Sequence, residues 1–130
     1  MSFGALTPGD LSWEERPSGN GVSRFTADLT TAFGLEQSRA RLWRLQPGAR
    51  GRRHIELVQE EVWVVLEGSL TLLLGEPPER LELGPGGVAS AKPGTAIQLR
   101  NDGDTDALVF AYGAPPVAGQ AELLDDVELA

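Results

Sequence analysis

The sequence contains no cysteine and one histidine, His54. The absence of cysteine excludes a disulfide framework, a thiolate nucleophile, an iron–sulfur cluster and a cysteine-based zinc site. A single imidazole likewise excludes a three-histidine metal centre within one chain. Long uninterrupted runs are missing too. Sixteen glycines and nine prolines divide 130 residues so finely that the longest stretch free of both, Arg52 to Glu67, has 16 residues. A bundle of long helices does not fit that punctuation, and no apolar run approaches the ~20 residues that cross a bilayer as a helix. Basic charge is also short: 11 bases against 19 acids give a net charge of −8. Phosphate backbones and anionic membranes are bound through positive surfaces that release counterions, so neither nucleic acid nor membrane is expected as a partner. The start Met1-Ser2-Phe3-Gly4 has neither the basic region nor the apolar stretch of a secretory signal, and a cytoplasmic location is expected.

What is present is the balance of a globular domain, 41% hydrophobic and 23% charged, in a length that suits one core. Short runs rich in Val, Leu, Ile, Thr and aromatics lie between the breaks, the pattern of brief strands joined by tight turns. Strands are expected over Val22–Leu29, Gln37–Gln46, Arg53–Leu57, Glu61–Leu66, Ser69–Leu74, Arg80–Leu83, Val88–Ala91, Ile97–Arg100 and Ala107–Tyr112. The turns between them, such as Pro47-Gly48, Glu67-Gly68 and Pro93-Gly94, hold the residues that reversals require. Strands recurring this closely predict an all-β sandwich or barrel. Val62–Leu66 and Asp104–Tyr112 are nearly continuous apolar segments and belong at the centre of a sheet, whereas Arg80–Leu83 alternates like a half-exposed strand. Ser12–Arg16 fits a strand or a turn of helix, and Gln120–Val127 has weak helical spacing. The chain is expected to divide into an N-terminal arm with strands (1–36), a barrel core (37–112) and a C-terminal tail (113–130). The tail holds four acids and no base, and is either solvated or packed on the barrel or on a partner subunit.

From Pro47 to Gly68 the chain carries Gly48, His54, Glu56, Glu61 and Gly68. This segment resembles the first motif of the cupin superfamily: glycine, five residues, histidine, one residue, histidine, three or four residues, glutamate, six residues, glycine. Glu56 occupies the second histidine position. A second stretch, with Gly86, Pro93, Gly94 and Asn101, resembles the second motif, with Ile97 in place of its histidine. The resemblance implies an antiparallel jelly-roll barrel (a double-stranded β-helix), a homodimer, and an interior face on which these four positions bind a divalent metal. His54, Glu56 and Glu61 would supply one nitrogen and two carboxylates, a hard set suited to Mn²⁺, Fe²⁺, Ni²⁺ or Zn²⁺, while Ile97 cannot coordinate. The cofactor expected is therefore one such metal or none.

The spacing has a physical reading of its own. Residues 54 and 56 point to one face of a strand, and a turn at Val58-Gln59-Glu60 brings Glu61 back beside them on the neighbouring strand. Side by side in a poorly solvated interior, Glu56 and Glu61 would repel and the pKa of one would rise. His54 would pair with the other, giving a general acid–base trio or a hydrogen-bonded structural one. Alternatively Glu56 faces solvent at the barrel mouth and pairs with an arginine.

Arginines form the other cluster: Arg39, Arg41, Arg44, Arg50, Arg52 and Arg53 lie within 15 residues free of acids. On a strand, Arg39, Arg41, Trp43 and Leu45 share one face. If that face lines a cavity, Arg41 and Trp43 suit a small carboxylate or phosphate with an apolar body; the alternative is pairing with surface acids. Leu70, Leu72 and Leu74 share a face, as do Ile97 and Leu99, and Leu108, Phe110 and Tyr112, and core packing is the expected role for most of them. Ile97 is expected to touch the pocket's occupant, with Leu99 and Tyr112 beside it. Trp63 has the parity of Glu61 and leans into the cavity or the core.

The function expected is binding of a small, anionic organic molecule in a pocket around His54, Glu56 and Glu61. The alternatives are a metal-dependent dioxygenase, isomerase or decarboxylase, and a structural or stress-associated barrel without ligand.

Overall fold

Each short strand can bury only one of its two faces, and two sheets meet on those faces. The computed structural model describes residues 2–116 and 121–127. Its elements are β1 (Glu14–Arg16), β2 (Arg24–Asp28), α1 (Leu29–Phe33), β3 (Arg39–Leu45), β4 (His54–Glu56), β5 (Glu60–Glu67), β6 (Leu70–Leu74), β7 (Glu79–Leu83), β8 (Val88–Ala91), β9 (Ala96–Arg100), β10 (Ala107–Ala114) and β11 (Ala121–Leu123). One sheet has the order β1-β2-β3-β10-β5-β8 and the other β11-β4-β9-β6-β7. From β3 onward the chain crosses repeatedly between the sheets, the path of a double-stranded β-helix. The expected all-β jelly roll is therefore the fold. The core between the sheets is built on Trp63, Val65, Leu70, Leu72, Ile97 and Val109; fully burying one such side chain contributes about 1.5–3 kcal/mol.

The crossing from β5 to β6 shows why a motif glycine stands where it does. Gly68 has φ +73°, and a Cβ there would lie 2.2 Å from the Asp106 carbonyl oxygen. Only glycine lets the two loops pass. Asn101, fully buried, holds the same end of the molecule by donating through Nδ2 to the carbonyls of Leu45 and Thr105, both at 2.8 Å.

Several expectations are corrected. The strand expected to end at Leu29 stops at Asp28, whose side chain accepts from the Thr31 amide and caps α1. Gly34 in the left-handed region ends that helix. Of the two alternatives for Ser12–Arg16 the strand holds, over Glu14–Arg16 as β1, and β1 and β2 extend the chain's own sheet. Within Gln120–Val127, Gln120 lies outside the described residues. Of the rest, Ala121–Leu123 forms a strand rather than a helix, because β11 satisfies the open edge of β4, and residues 124–127 continue onto the barrel without regular structure. There the Leu124 amide donates to the Arg53 carbonyl, Arg53 Nη1 to the Asp125 carbonyl and Gln98 Nε2 to Asp126.

The parity of β10 is also reversed from the expected one. Val109, Ala111 and Gly113 face the interior, while Leu108, Phe110 and Tyr112 take the outer face. Both faces of this central strand are apolar, so periodicity could not decide between them. The register settles it: the inward positions of β10 lie across from Arg39, Arg41 and Trp43 of β3 and from Glu61, Trp63 and Val65 of β5.

Candidate metal centre and ligand cavity

Small residues on the middle strand open a cavity. On the inner face, Gly113 lies between Arg39 and Glu61, and Ala111 between Arg41 and Trp63. With almost no side chain from β10, a space of about 180 Å³ remains between the arginine row of β3 and the acids opposite. A Cβ at Gly113 would lie 2.6 Å from the Gln59 side chain, so a larger residue there would displace that amide. Gln59 in turn donates to the Pro115 carbonyl at 3.0 Å.

His54, Glu56 and Glu61 converge at one end of this space, each offering a donor atom within 4.8 Å of the others. The route differs from the expected one. Glu61 is not on a strand paired with that of His54 and Glu56: β4 and β5 belong to opposite sheets, and the turn between them carries the chain across the barrel. The trio meets across the interior. Glu56 is only 9% exposed, so it does not sit in solvent at the mouth. His54 Nε2 lies 3.0 Å from Glu56 Oε2, and Nδ1 lies 2.8 Å from the Arg52 carbonyl. A carbonyl only accepts, so Nδ1 carries the proton, and Nε2 is left to face the carboxylates. Burial, reinforced by the neighbouring Glu56 charge, raises the Glu61 pKa above its ordinary 4.5, partly offset by His54, Arg39 and Arg41.

These residues suit a divalent cation. Metal–ligand bonds of about 2.0–2.2 Å need donors roughly 3–4 Å apart, which small side-chain rotations within the observed cluster supply. Nδ1 anchored on a backbone carbonyl is the outer-shell arrangement that orients a ligating imidazole. A cation would add positive charge beside two adjacent, largely buried carboxylates whose mutual repulsion His54, Arg39 and Arg41 offset only in part.

The rest of the arginine cluster separates by parity. Arg44 points outward toward Glu67 and Asp106, Arg50 pairs with Asp126, and Arg53 binds Glu76 at 2.6 Å. Arg39, Arg41 and Arg52 line the cavity and have no ion-pair partner among the described residues. Trp43, Trp63, Leu99 and Tyr112 also border the cavity. Tyr112 has the outward parity and is 41% exposed, which makes it a rim residue. Ile97 pairs across from His54 but is 1% exposed, within the core cluster and not on the cavity wall.

Comparison with known proteins fits this architecture. The family model described as "Cupin domain" matches residues 41–112, more than half of the sequence. The chain belongs to the cupin family. This cupin is similar in structure to a sugar phosphate isomerase from Silicibacter pomeroyi (26% identity, 86% of this chain and 76% of that one, TM-score 0.72). It is similar also to a protein with a double-stranded β-helix domain from Klebsiella pneumoniae (26%, 85% and 90%, 0.69). The polyketide cyclase RemF from Streptomyces resistomycificus shares the fold (21%, 97% and 88%, 0.78). No curated protein gives a significant match.

The cupin's cavity includes residues that the sequence did not single out. Arg24 on β2 lies over the Trp43 ring, 4.8 Å from its centroid. Its place depends on the pairing of β2 with β3, Arg24 opposite Leu45, which no local pattern encodes. Gln59 was legible only as a turn residue. Gly113 looked like the start of the tail, although it is part of β10.

Proposed function

We propose that this cupin binds one divalent cation through His54, Glu56 and Glu61 and processes a small organic molecule in the adjoining cavity. The observation that carries the reading is the convergence of the three donors from opposite sheets, with the imidazole already oriented by the Arg52 carbonyl. When bound, such an ion supplies Lewis acidity beside open coordination positions. The chain's own residues bound the cavity, and in the metal-free protein Glu61 is the group that can hold a proton there. The likeness to a sugar phosphate isomerase supports chemistry on a small molecule. A ligand-free structural barrel does not explain why Arg24, Arg39, Arg41 and two glutamates line one cavity, with Arg52 exposed at its mouth. A cytoplasmic location and a homodimer belong to the same proposal, the first resting on the sequence and the second on the family resemblance. Among the described residues no helix is long and apolar enough to cross a membrane.

The test is elemental analysis of protein purified without chelator, followed by melting with Mn²⁺, Fe²⁺, Ni²⁺ and Zn²⁺. One equivalent of metal, absent from His54→Ala, is the expected result. Absence of both metal and melting shift in the wild type would overturn the reading.

A further inference from the structure

An acidic protein that lines its interior cavity with arginines has placed positive charge where its surface has little. The cavity holds Arg24, Arg39, Arg41 and Arg52 against Glu56 and Glu61, and both glutamates belong to the proposed metal end. Arg24 and Arg41 are the informative pair. Both lie over the Trp43 ring, at 4.8 and 5.6 Å from its centroid, and neither has an ion-pair partner among the described residues. Arg24 Nε is buried without any hydrogen-bond acceptor. A buried donor of this kind is normally satisfied by protein, water or a ligand.

The charges around them deepen the mismatch. Burial lowers the Arg24 pKa, and the charges acting with it, Arg16 and Arg41, are both cations. Arg41 is affected in the same sense by burial, Arg39 and Arg16, with only Asp28 and Glu61 opposing. Guanidinium groups stay protonated in such surroundings, so their like charges repel until an anion arrives. The indole that both lie over contributes an apolar, stackable wall. Arg24 and Arg52 also border an outer cleft between residues 17–20 and 124–126, so the cationic end of the cavity adjoins the surface.

We infer that Arg24 and Arg41, with Trp43, form an anion-recognition pole that takes the carboxylate or phosphate of a small organic substrate. The substrate's uncharged part then lies toward Ala111 and Trp63, with its other end facing His54, Glu56 and Glu61. The inference rests on the cavity being the ligand site proposed above. It does not rest on the metal.

The probes are phenyl phosphate and benzoate, which share one apolar ring and differ in the anion. Titration calorimetry is run on the full chain after EDTA dialysis, and again with Mn²⁺ present. At least one probe is expected to bind in both states. Arg24→Met and Arg41→Met should each weaken it at least tenfold, and Arg44→Met, whose guanidinium points outward toward Glu67 and Asp106, should leave binding within about threefold. Arg24→Lys and Arg41→Lys keep charge and stem and should give intermediate weakening, which covers a Met variant that fails to fold. Tighter phenyl phosphate assigns a phosphate ester to the pole, and tighter benzoate a carboxylic acid. Failure of both probes to bind the wild type would overturn the inference. So would binding that requires Mn²⁺ and ignores the arginine substitutions. Wild-type protein that takes no metal yet binds a probe through its arginines would sink the metal reading alone.

Discussion

At the scale of single residues, Glu61 joins the sequence reading to a measurable property. Repulsion between Glu56 and Glu61 was legible from their spacing, but the leading cause of the raised Glu61 pKa is burial, which only the packed interior defines. A carboxyl with a raised folded-state pKa contributes stability below its unfolded pKa and loses it as pH rises through the folded value. The metal-free protein should therefore lose stability from about pH 4.5 upward as Glu61 ionises beside Glu56. Glu61→Gln removes that loss. Scanning calorimetry of EDTA-treated samples should show the variant melting higher than wild type at neutral pH. The difference should vanish in acid and reverse when Mn²⁺ is added, since only wild type keeps the full ligand set. A variant that melts lower than metal-free wild type at neutral pH would contradict this account of the site.

Among the elements, the strands were readable wherever composition and turn chemistry agreed. Gly48, Gly68, Gly86 and Gly94, which space the two motifs, all have positive φ. α1 was missed because a run of strand-forming residues leads into it, although the Asp28 cap and the Gly34 stop are both written in the chain. β11 was missed because its stability comes from the edge of β4, not from its own sequence. The inward face of β10 was unreadable for a further reason: both of its faces are apolar, and the decision lies in pairing with β3 and β5. That face creates the cavity, so the space can be closed from β10 alone. Ala111→Leu places a larger side chain between Arg41 and Trp63. Because the added atoms enter an open cavity, the cost of overpacking a filled core, about 1–3 kcal/mol, should be largely absent. We expect a ligand-free melting temperature within about 4 °C of wild type, an interval corresponding to roughly 1 kcal/mol. Phenyl phosphate or benzoate binding should fall at least tenfold. Unchanged binding would mean that the ligand does not occupy this space.

Viewed whole, the molecule has two apolar surfaces on its larger sheet. The inner one is the core; the outer one carries Val62, Val64 and Leu66 of β5, Leu108 and Phe110 of β10, and Val88 of β8. Of these, Val88 is 59% exposed and Leu66 45%. β1 and β2 lie at one edge of this sheet, beyond β3. A second copy is the occupant we propose for the outer face, in the homodimer proposed above. A twofold contact brings the same patch together from both chains, so it is matched in character without any further partner. Single exposed aliphatics are ordinary on a monomer, whereas a contiguous set across three paired strands is the kind of surface that association covers. Sedimentation equilibrium should give twice the chain mass of 13.9 kDa for the wild type. Val88→Lys combined with Leu66→Lys should return a monomer with unchanged circular dichroism, since both side chains are exposed and neither supports the core. A monomeric wild type would remove the outer face as an interface and leave the cavity chemistry as it stands.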